Sequence, residues 1–399
     1  MGFRLICKIA QETPMIHFQH EEIGACIRAS ELKPKLDRFI INNKKEKEEI
    51  PSEWCLKKST KDEEENNQMS TALDYKVKIR ANGLRESWKD TELKGYFGNL
   101  GSGSSENDKK KGILYEEGLE LIIMCFIPSL LEEIKENIEG FFLLTNFGTR
   151  QSKGFGGFRI KEILTDDGKI IRCEGGRRLL NIVKKYYKKS IYGHKYKKSC
   201  EIEKRERMLR LQDIYMIYGF MKSGFNFTKI KDSPNDYYKG FIFRYFMQEP
   251  HVMNNDKAFM KSHIFNSAKK EEYFFIRVLL GLTDNYIFKN HEVKILVNDR
   301  KKEIERFQSP ITFKVFDQYM IMLLDEIPSK LLDREFDFFD GEKKLGTIRT
   351  PSEFNLTDFI EAFISDFNTK EGVEYRNDLR EVQHKQIKNA AKMKIERLI

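Results

Sequence analysis

Phe3, Leu5, Cys7 and Ile9 recur at every second position, a period that predicts a half-buried strand ended by Pro14. A helix is expected from near Lys33, with Pro34 in its first turn where a missing amide costs nothing. It would turn Leu36, Phe39 and Ile40 inward and leave Lys33, Lys35 and Arg38 toward solvent. Alternation resumes over 73–79, and the apolar run 119–127 reads as a buried strand. Pro128 and Ser129 then open a helix whose Leu130, Leu131, Ile134 and Ile138 share a face, with Gly140 as a glycine stop. Residues 140–145 have the length of a further strand, and 158–164 alternate again. Strand, helix, strand, strand, helix, strand is a ferredoxin-like (RRM-like) βαββαβ unit, and a glycine-rich loop follows its last strand.

Beyond residue 209 the pattern predicts a helix over 208–221, a strand over 241–247 and a helix over 271–282 with Phe274, Phe275, Val278 and Leu279 inward. Strands over 311–315 and 320–325 follow, then an amphipathic helix over 356–367 starting near Asn355 or Thr357. This is a second α+β domain. From Lys370 onward the chain reads as a charged helix whose apolar residues are too sparse for a core but suffice to dock on a partner. Within an N-terminal domain of 1–170, residues 42–71 are crowded with charge and nearly free of apolar side chains, which predicts an exposed insertion. The remaining boundaries are a helical basic connector at 171–212, a C-terminal domain at 213–369 and the tail at 370–399.

The loop reads Asn146-Phe-Gly-Thr-Arg-Gln-Ser-Lys-Gly-Phe-Gly-Gly-Phe158. Its glycines let another backbone come close, Arg150 and Lys153 bring cations among the amides, and Phe155 and Phe158 offer flat faces for bases. Such a loop suits a phosphodiester chain, although glycine is also ordinary turn chemistry and an unliganded hairpin fits as well. It is not a P-loop, because Lys153 precedes its glycine and strand-like sequence follows; the dinucleotide fingerprint is missing too.

Charge sharpens this picture. Residues 172–210 hold fourteen Lys or Arg against four Glu, an excess of +10, while the whole chain carries +9. The basicity is therefore local. Lys184, Lys185, Lys188, Lys189, Lys195, Lys197 and Lys198 are interleaved with Tyr186, Tyr187, Tyr192 and Tyr196, a pattern suited to an RNA backbone and its unstacked bases. A solvated helix face is the plainer alternative.

The run Phe147-Gly-Thr-Arg-Gln-Ser-Lys-Gly-Phe-Gly156 resembles the glycine-rich loop of the RAMP superfamily of CRISPR proteins, most of all the first subunit of the type III-B (Cmr) effector complex. Residues 27–33 (IRASELK), 95–98 (GYFG) and 306–311 (RFQSPI) resemble three further motifs of that family, in the right order. Pro34 and Thr149 stand where the family usually has glycine. The resemblance implies two ferredoxin-like RAMP domains, the second degraded. It also implies a cytoplasmic ribonucleoprotein subunit in CRISPR antiviral defence, lying near the 3′ end of the guide RNA and helping to capture target RNA. The RNA-binding set is then Arg28, Ser30, Lys33, Lys35, Arg38, Gly148, Arg150, Lys153, Gly154, Phe155 and Gly156, extended by Lys184, Lys185, Tyr187, Lys188, Lys189, Lys195, Lys197 and Lys198.

A guide-processing, metal-independent endoribonuclease is the competing reading. RAMP relatives commonly use histidine as general acid or base, and His17 and His20 follow the first strand. A structural adaptor in a ribonucleoprotein is the third. The six cysteines are scattered, with no Cys-x-x-Cys pair and no histidine at zinc-ligand spacing, so neither metal nor cofactor is expected. A charged fraction of 33% and the lack of a long apolar run or a secretory leader exclude a membrane helix and place the protein in the cytoplasm.

Overall fold

The computed structural model describes the chain apart from residues 1–2, 18, 20–21, 23, 46–47, 57–71, 82–84, 89–111, 116, 198–203, 228–235, 249–252, 266, 268–270, 283–284, 289–292, 306 and 375–392. It divides into two compact units. One comprises Met1–Leu211, Phe313–Ile321 and Arg397–Ile399, the other Gln212–Thr312 and Met322–Glu396. No helix among the described residues is long and apolar enough to cross a membrane.

The first unit is built on strand Arg4–Gln11, helix α1 (Ala29–Lys45), strands Lys76–Ala81 and Leu119–Met124, helix α2 (Pro128–Leu144) and strand Phe158–Thr165. Across the sheet the order is Lys76–Ala81, Leu119–Met124, Arg4–Gln11, Phe158–Thr165 and the short Ile170–Arg172, every pairing antiparallel. Leu5, Cys7 and Ile9 lie on the same core as Leu121, Ile123 and Ile163, closed by Leu32, Leu36 and Ile40 of α1 and Leu130, Ile134 and Ile138 of α2. Each helix thus buries one stripe at three- and four-residue spacing against alternate positions of the strands. A small sheet of Met15–Ile16, Gly112–Tyr115 and Arg85–Trp88 stands beside this frame.

Three sequence expectations are corrected here. Residues 140–144 are not a strand: α2 runs through Gly140 to Leu144, so the loop lies between α2 and the fourth core strand instead of after it. Gly140 is not a stop, because its missing side chain makes room for a ring; a Cβ there would meet the Tyr186 ring at 2.2 Å. Helix α1 starts at Ala29 and not near Lys33, with the Leu32 amide donating to the Arg28 carbonyl at 2.9 Å. Pro34 sits inside it and leaves the carbonyl of Ser30 without an intrahelical donor, which the exposed first turn tolerates because water reaches it.

The basic segment is not one helical connector. It forms α3 (Arg177–Tyr186) and strand Tyr192–Lys195, both within the first unit. Arg178 clamps Glu139 of α2 through two bonds of 2.6 Å, and the Tyr186 hydroxyl donates to the Glu136 carbonyl at 3.1 Å. Residues 313–321 return to this unit from far along the chain. Gly193 meets them so closely that a Cβ would lie 2.1 Å from the Met320 carbonyl oxygen.

The second unit carries a six-stranded sheet ordered Asn254–Asn255, Tyr273–Phe274, Lys343–Arg349, Glu335–Asp340, Val293–Asp299 and Asn285–Phe288. Helix Leu356–Phe367 forms where its pattern predicts, and the Asn355 side chain caps it by accepting from the Thr357 and Asp358 amides. Residues 241–245 are a short helix instead of a strand, and 271–282 give strand Tyr273–Phe274 and a 3-10 turn at Arg277–Leu280 instead of a helix. Runs of consecutive large apolar residues satisfy either period, so burial and not pattern decides them. The end of the tail is corrected too: Met393 and Ile395 are buried and Glu396–Arg397 is a strand, whereas 370–374 are helical as expected and 375–392 lie outside the described residues.

Candidate nucleic-acid interface

The glycine-rich loop is held by side chains on three sides. From α1, the Glu31 carboxylate accepts from the Gly148 amide at 3.1 Å, the Gln151 side-chain amide at 3.1 Å and the Lys35 ammonium at 2.9 Å. Lys35 also donates to the Asn146 carbonyl at 3.0 Å and to Gln151 Oε1 at 2.9 Å. From the end of the first strand, Thr13 Oγ1 donates to the Gly154 carbonyl at 2.6 Å and accepts from the Gly157 amide at 2.8 Å. From the returning segment, Lys314 donates to the Thr145 carbonyl at 2.6 Å and to Asn146 Oδ1 at 3.0 Å, and the Phe313 amide donates to the Ser152 carbonyl at 3.1 Å. The loop is a braced arch and not a loose flap.

Its glycines have structural reasons. Gly156 has φ +68°, and a Cβ would fall 1.9 Å from the Phe147 carbonyl oxygen; Gly148 has φ +80° and abuts the Ile16 carbonyl. Only glycine permits such backbone approach.

Bracing leaves a narrow crest at the surface. Thr149 and Arg150 are exposed, with Arg150 in the left-handed region at φ 57°. The exposed first turn of α1, with Arg28 and Ser30, lies beside it through the Glu31 to Gly148 bond. The first turn of a 17-residue helix, whose own carboxylate is Glu31, therefore abuts the loop, and the exposed cations carried on either side of that contact, Arg28 and Arg150, favour an anion such as a phosphate.

Other expected residues serve the fold. Phe155 and Phe158 are fully buried, so neither ring is a face for bases; Phe158 packs edge-on to Phe147. Gly154 and Gly156 are buried and Lys153 is half-buried, bridging to Phe313. Lys33 does not point to solvent but donates to Asp37 at 2.9 Å and to the Leu73 carbonyl at 2.8 Å. Lys35 is the loop brace described above. Arg38 is exposed and donates to the Pro34 carbonyl at 3.2 Å. In the basic segment Lys184 turns back onto the Lys188 and Lys189 carbonyls, while Lys185, Lys188, Lys189, Lys195 and Lys197 are exposed and Tyr187 is half-buried. Lys198 and His20 lie outside the described residues, as do Gly95 to Gly98. His17 is buried, and its Nδ1 accepts the Gln19 amide at 3.1 Å, which puts the proton of a neutral ring on Nε2.

Sequence reasoning missed Thr13, Glu31, Asn146, Gln151 and Lys314 as the braces. For Lys314 a signal existed: one lysine at an inward position of the apolar strand Ile311–Phe316. Burial pulls its pKa down from 10.5 to about 7; the Lys35 cation acts in the same direction and Glu12 opposes it. Cys7 and Cys173 are buried thiols pushed up to about 12, chiefly by burial, and are inert at neutral pH. No cluster of three or more metal-ligating side chains occurs among the described residues.

Comparison with known families gives two matches: residues 2–225 with the Cmr1 N-terminal domain and residues 237–389 with the Cmr1 C-terminal domain. The chain belongs to the Cmr1 family. It is a Cmr1-like RAMP protein of the type III-B class. No curated protein matches the chain. Among solved structures, the Cmr1-family chain is similar to Cmr1 from Pyrococcus furiosus in its apo form, at 11% identity over 91% of this chain and 96% of that one, with a TM-score of 0.40. It is also similar to a chain of type III-B Cmr-beta bound to cognate target RNA, at 13% identity over 43% of this chain, with a TM-score of 0.25. It spans 61% of the length of that second relative. The family assignment rests on the two domain matches.

Proposed function

We propose that this chain is a non-catalytic RNA-binding subunit of a type III CRISPR effector, contacting guide RNA, target RNA or both alongside other effector subunits. The observation that carries it is the arginine crest: Arg150 at the top of a braced loop, beside Arg28 and Ser30 at the open start of α1. A loop backbone braced beside a helix N-terminus lowers the ordering cost of binding a phosphodiester chain, since only the exposed arginine side chains remain to be fixed. The exposed lysines of 185–197 add further cations to the first unit, and the antiparallel four-strand order of that unit supports a ferredoxin-like RAMP frame. That the second unit is a degraded copy follows from the family alone.

A non-catalytic role is supported by the burial of His17, whose Nδ1 is occupied by a main-chain amide and so is not poised to take a proton from a ribose hydroxyl. Titration of labelled single-stranded RNA against the purified protein at several salt concentrations tests the proposal. Affinity should fall by about 0.7 logarithmic units per tenfold rise in salt for each phosphate neutralised, and a flat response refutes it.

A further inference from the structure

The sheet of the first unit has a second face, turned away from α1 and α2. Registry assembles it row by row. In the middle row Lys78 stands opposite Ile122, Ile122 opposite Ile6, Ile6 opposite Leu164, and Leu164 opposite Ile170. The next row is a ladder of alternating sign, Arg80, Glu120, Lys8, Glu162 and Arg172, with Lys8 to Glu162 at 2.8 Å and Arg80 to Glu120 at 3.5 Å. On the other side Met124 lies between Lys76 and Arg4, and just beyond the strand ends the Phe3 and Phe126 rings meet at 5.4 Å. The two ends of this face are open to solvent, with Phe126 79% exposed, Ile170 56%, and Phe3 and Met124 exposed as well, while Ile6 and Leu164 between them are half-buried and Ile122 is buried beneath its neighbours.

A solvated sheet face normally carries polar residues, and a contiguous apolar stripe of this kind marks a contact surface. Two features select the occupant. RNA on such a sheet stacks on aromatic rings of the central strands, and here the centre carries the aliphatic side chains of Ile6 and Ile122 instead. The apolar stripe is instead flanked by cations, Lys76, Lys78 and Arg80 on one edge strand and Arg172 on the other, with Arg4 and Lys8 between, against three carboxylates, Glu120, Glu162 and Asp166. A second copy of the same face would carry the same net positive charge.

We propose that this open sheet face docks another protein of the effector through an amphipathic acidic segment. Its apolar side lies along Phe126, Met124, Ile6, Leu164 and Ile170 and its carboxylates reach Lys76, Lys78 and Arg80. This goes beyond RNA binding and rests on the reading of the chain as an effector subunit.

The test uses full-length protein co-expressed with the remaining effector subunits, and two variants at exposed positions, Phe126→Ser/Ile170→Asp and Lys76→Glu/Lys78→Glu/Arg80→Glu. Thermal unfolding verifies that each is folded, and RNA affinity of the isolated chain is measured in parallel. The proposal expects each variant to enter the assembled complex at least tenfold less than wild type, with RNA affinity of the apolar variant unchanged. Unaltered assembly of the apolar variant overturns it, and unaltered assembly of the charge variant overturns the acidic partner. Loss of RNA affinity by the apolar variant assigns the face to RNA and overturns the proposal too. Failure of wild-type chain to bind RNA at all would instead count against the proposed function and leave the docking result readable.

Discussion

Lys314 donates to the main-chain carbonyl of Thr145 at 2.6 Å, so a residue 169 positions downstream closes the end of α2 where the glycine-rich loop leaves it. The last carbonyls of a helix lack intrahelical donors, and a buried ammonium supplies one at the negative end of the helix dipole. The exposed loop crest is thus shaped from beneath by a strand distant in sequence.

This lysine gives a pH dependence with a definite sign. Its folded pKa of about 7 lies below the 10.5 of an unfolded lysine, so between those values the unfolded chain binds more protons and stability rises with pH. Lys222 and Lys257 are also lowered to about 7, chiefly by burial, and add to the same slope. Lys314→Met should remove part of that rise between pH 7 and 9, measured by denaturant unfolding at fixed ionic strength. An identical slope in the variant would show that Lys314 does not titrate between the two states.

Gly156→Ala should distort the arch. The new Cβ would fall 1.9 Å from the Phe147 carbonyl oxygen at a φ of +68°, a conflict expected to cost about 1–3 kcal/mol. Lower thermal stability together with weaker RNA binding is the expected pair of results, and circular dichroism with an RNA titration reads both.

Phe155 separates packing from stacking. Its ring is fully buried, so Phe155→Ala should destabilise the first unit by about 3–5 kcal/mol. A base-stacking ring would behave in the opposite way, losing RNA affinity with stability intact.

His17→Ala tests the enzyme reading. The protein incubated with repeat RNA in chelator should give no specific cleavage, in wild type or variant. Specific cleavage that disappears with His17 would establish the nuclease and end the non-catalytic account.

The sequence made the frame legible because burial there is periodic. Leu36 and Ile40, Leu130, Ile134 and Ile138, and the capped helix after Asn355 each carry their own signal. What stayed hidden depends on contacts distant in sequence. Gly140 carries the sign of a helix stop, yet it is there to admit the Tyr186 ring from α3. Phe155 in a glycine-rich stretch reads as exposed until the core it enters is known. Arg28, Ser30 and Arg150 are exposed, whereas Lys33 and Lys35 were indistinguishable from them in sequence until Asp37, Glu31 and the loop carbonyls were seen to hold them. A lysine's role is set by what its ammonium meets, and adjacent residues do not encode that.

The central claim is that the exposed arginines at the loop crest and the start of α1 grip RNA through phosphate. The direct measurement is the slope of log affinity against log salt for wild type and for Arg28→Ala/Arg150→Ala, both verified as folded. The double variant should bind more weakly, with a slope shallower by about 1.4, the share of two single-strand phosphates. Equal affinity and an equal slope for the two proteins would contradict the account.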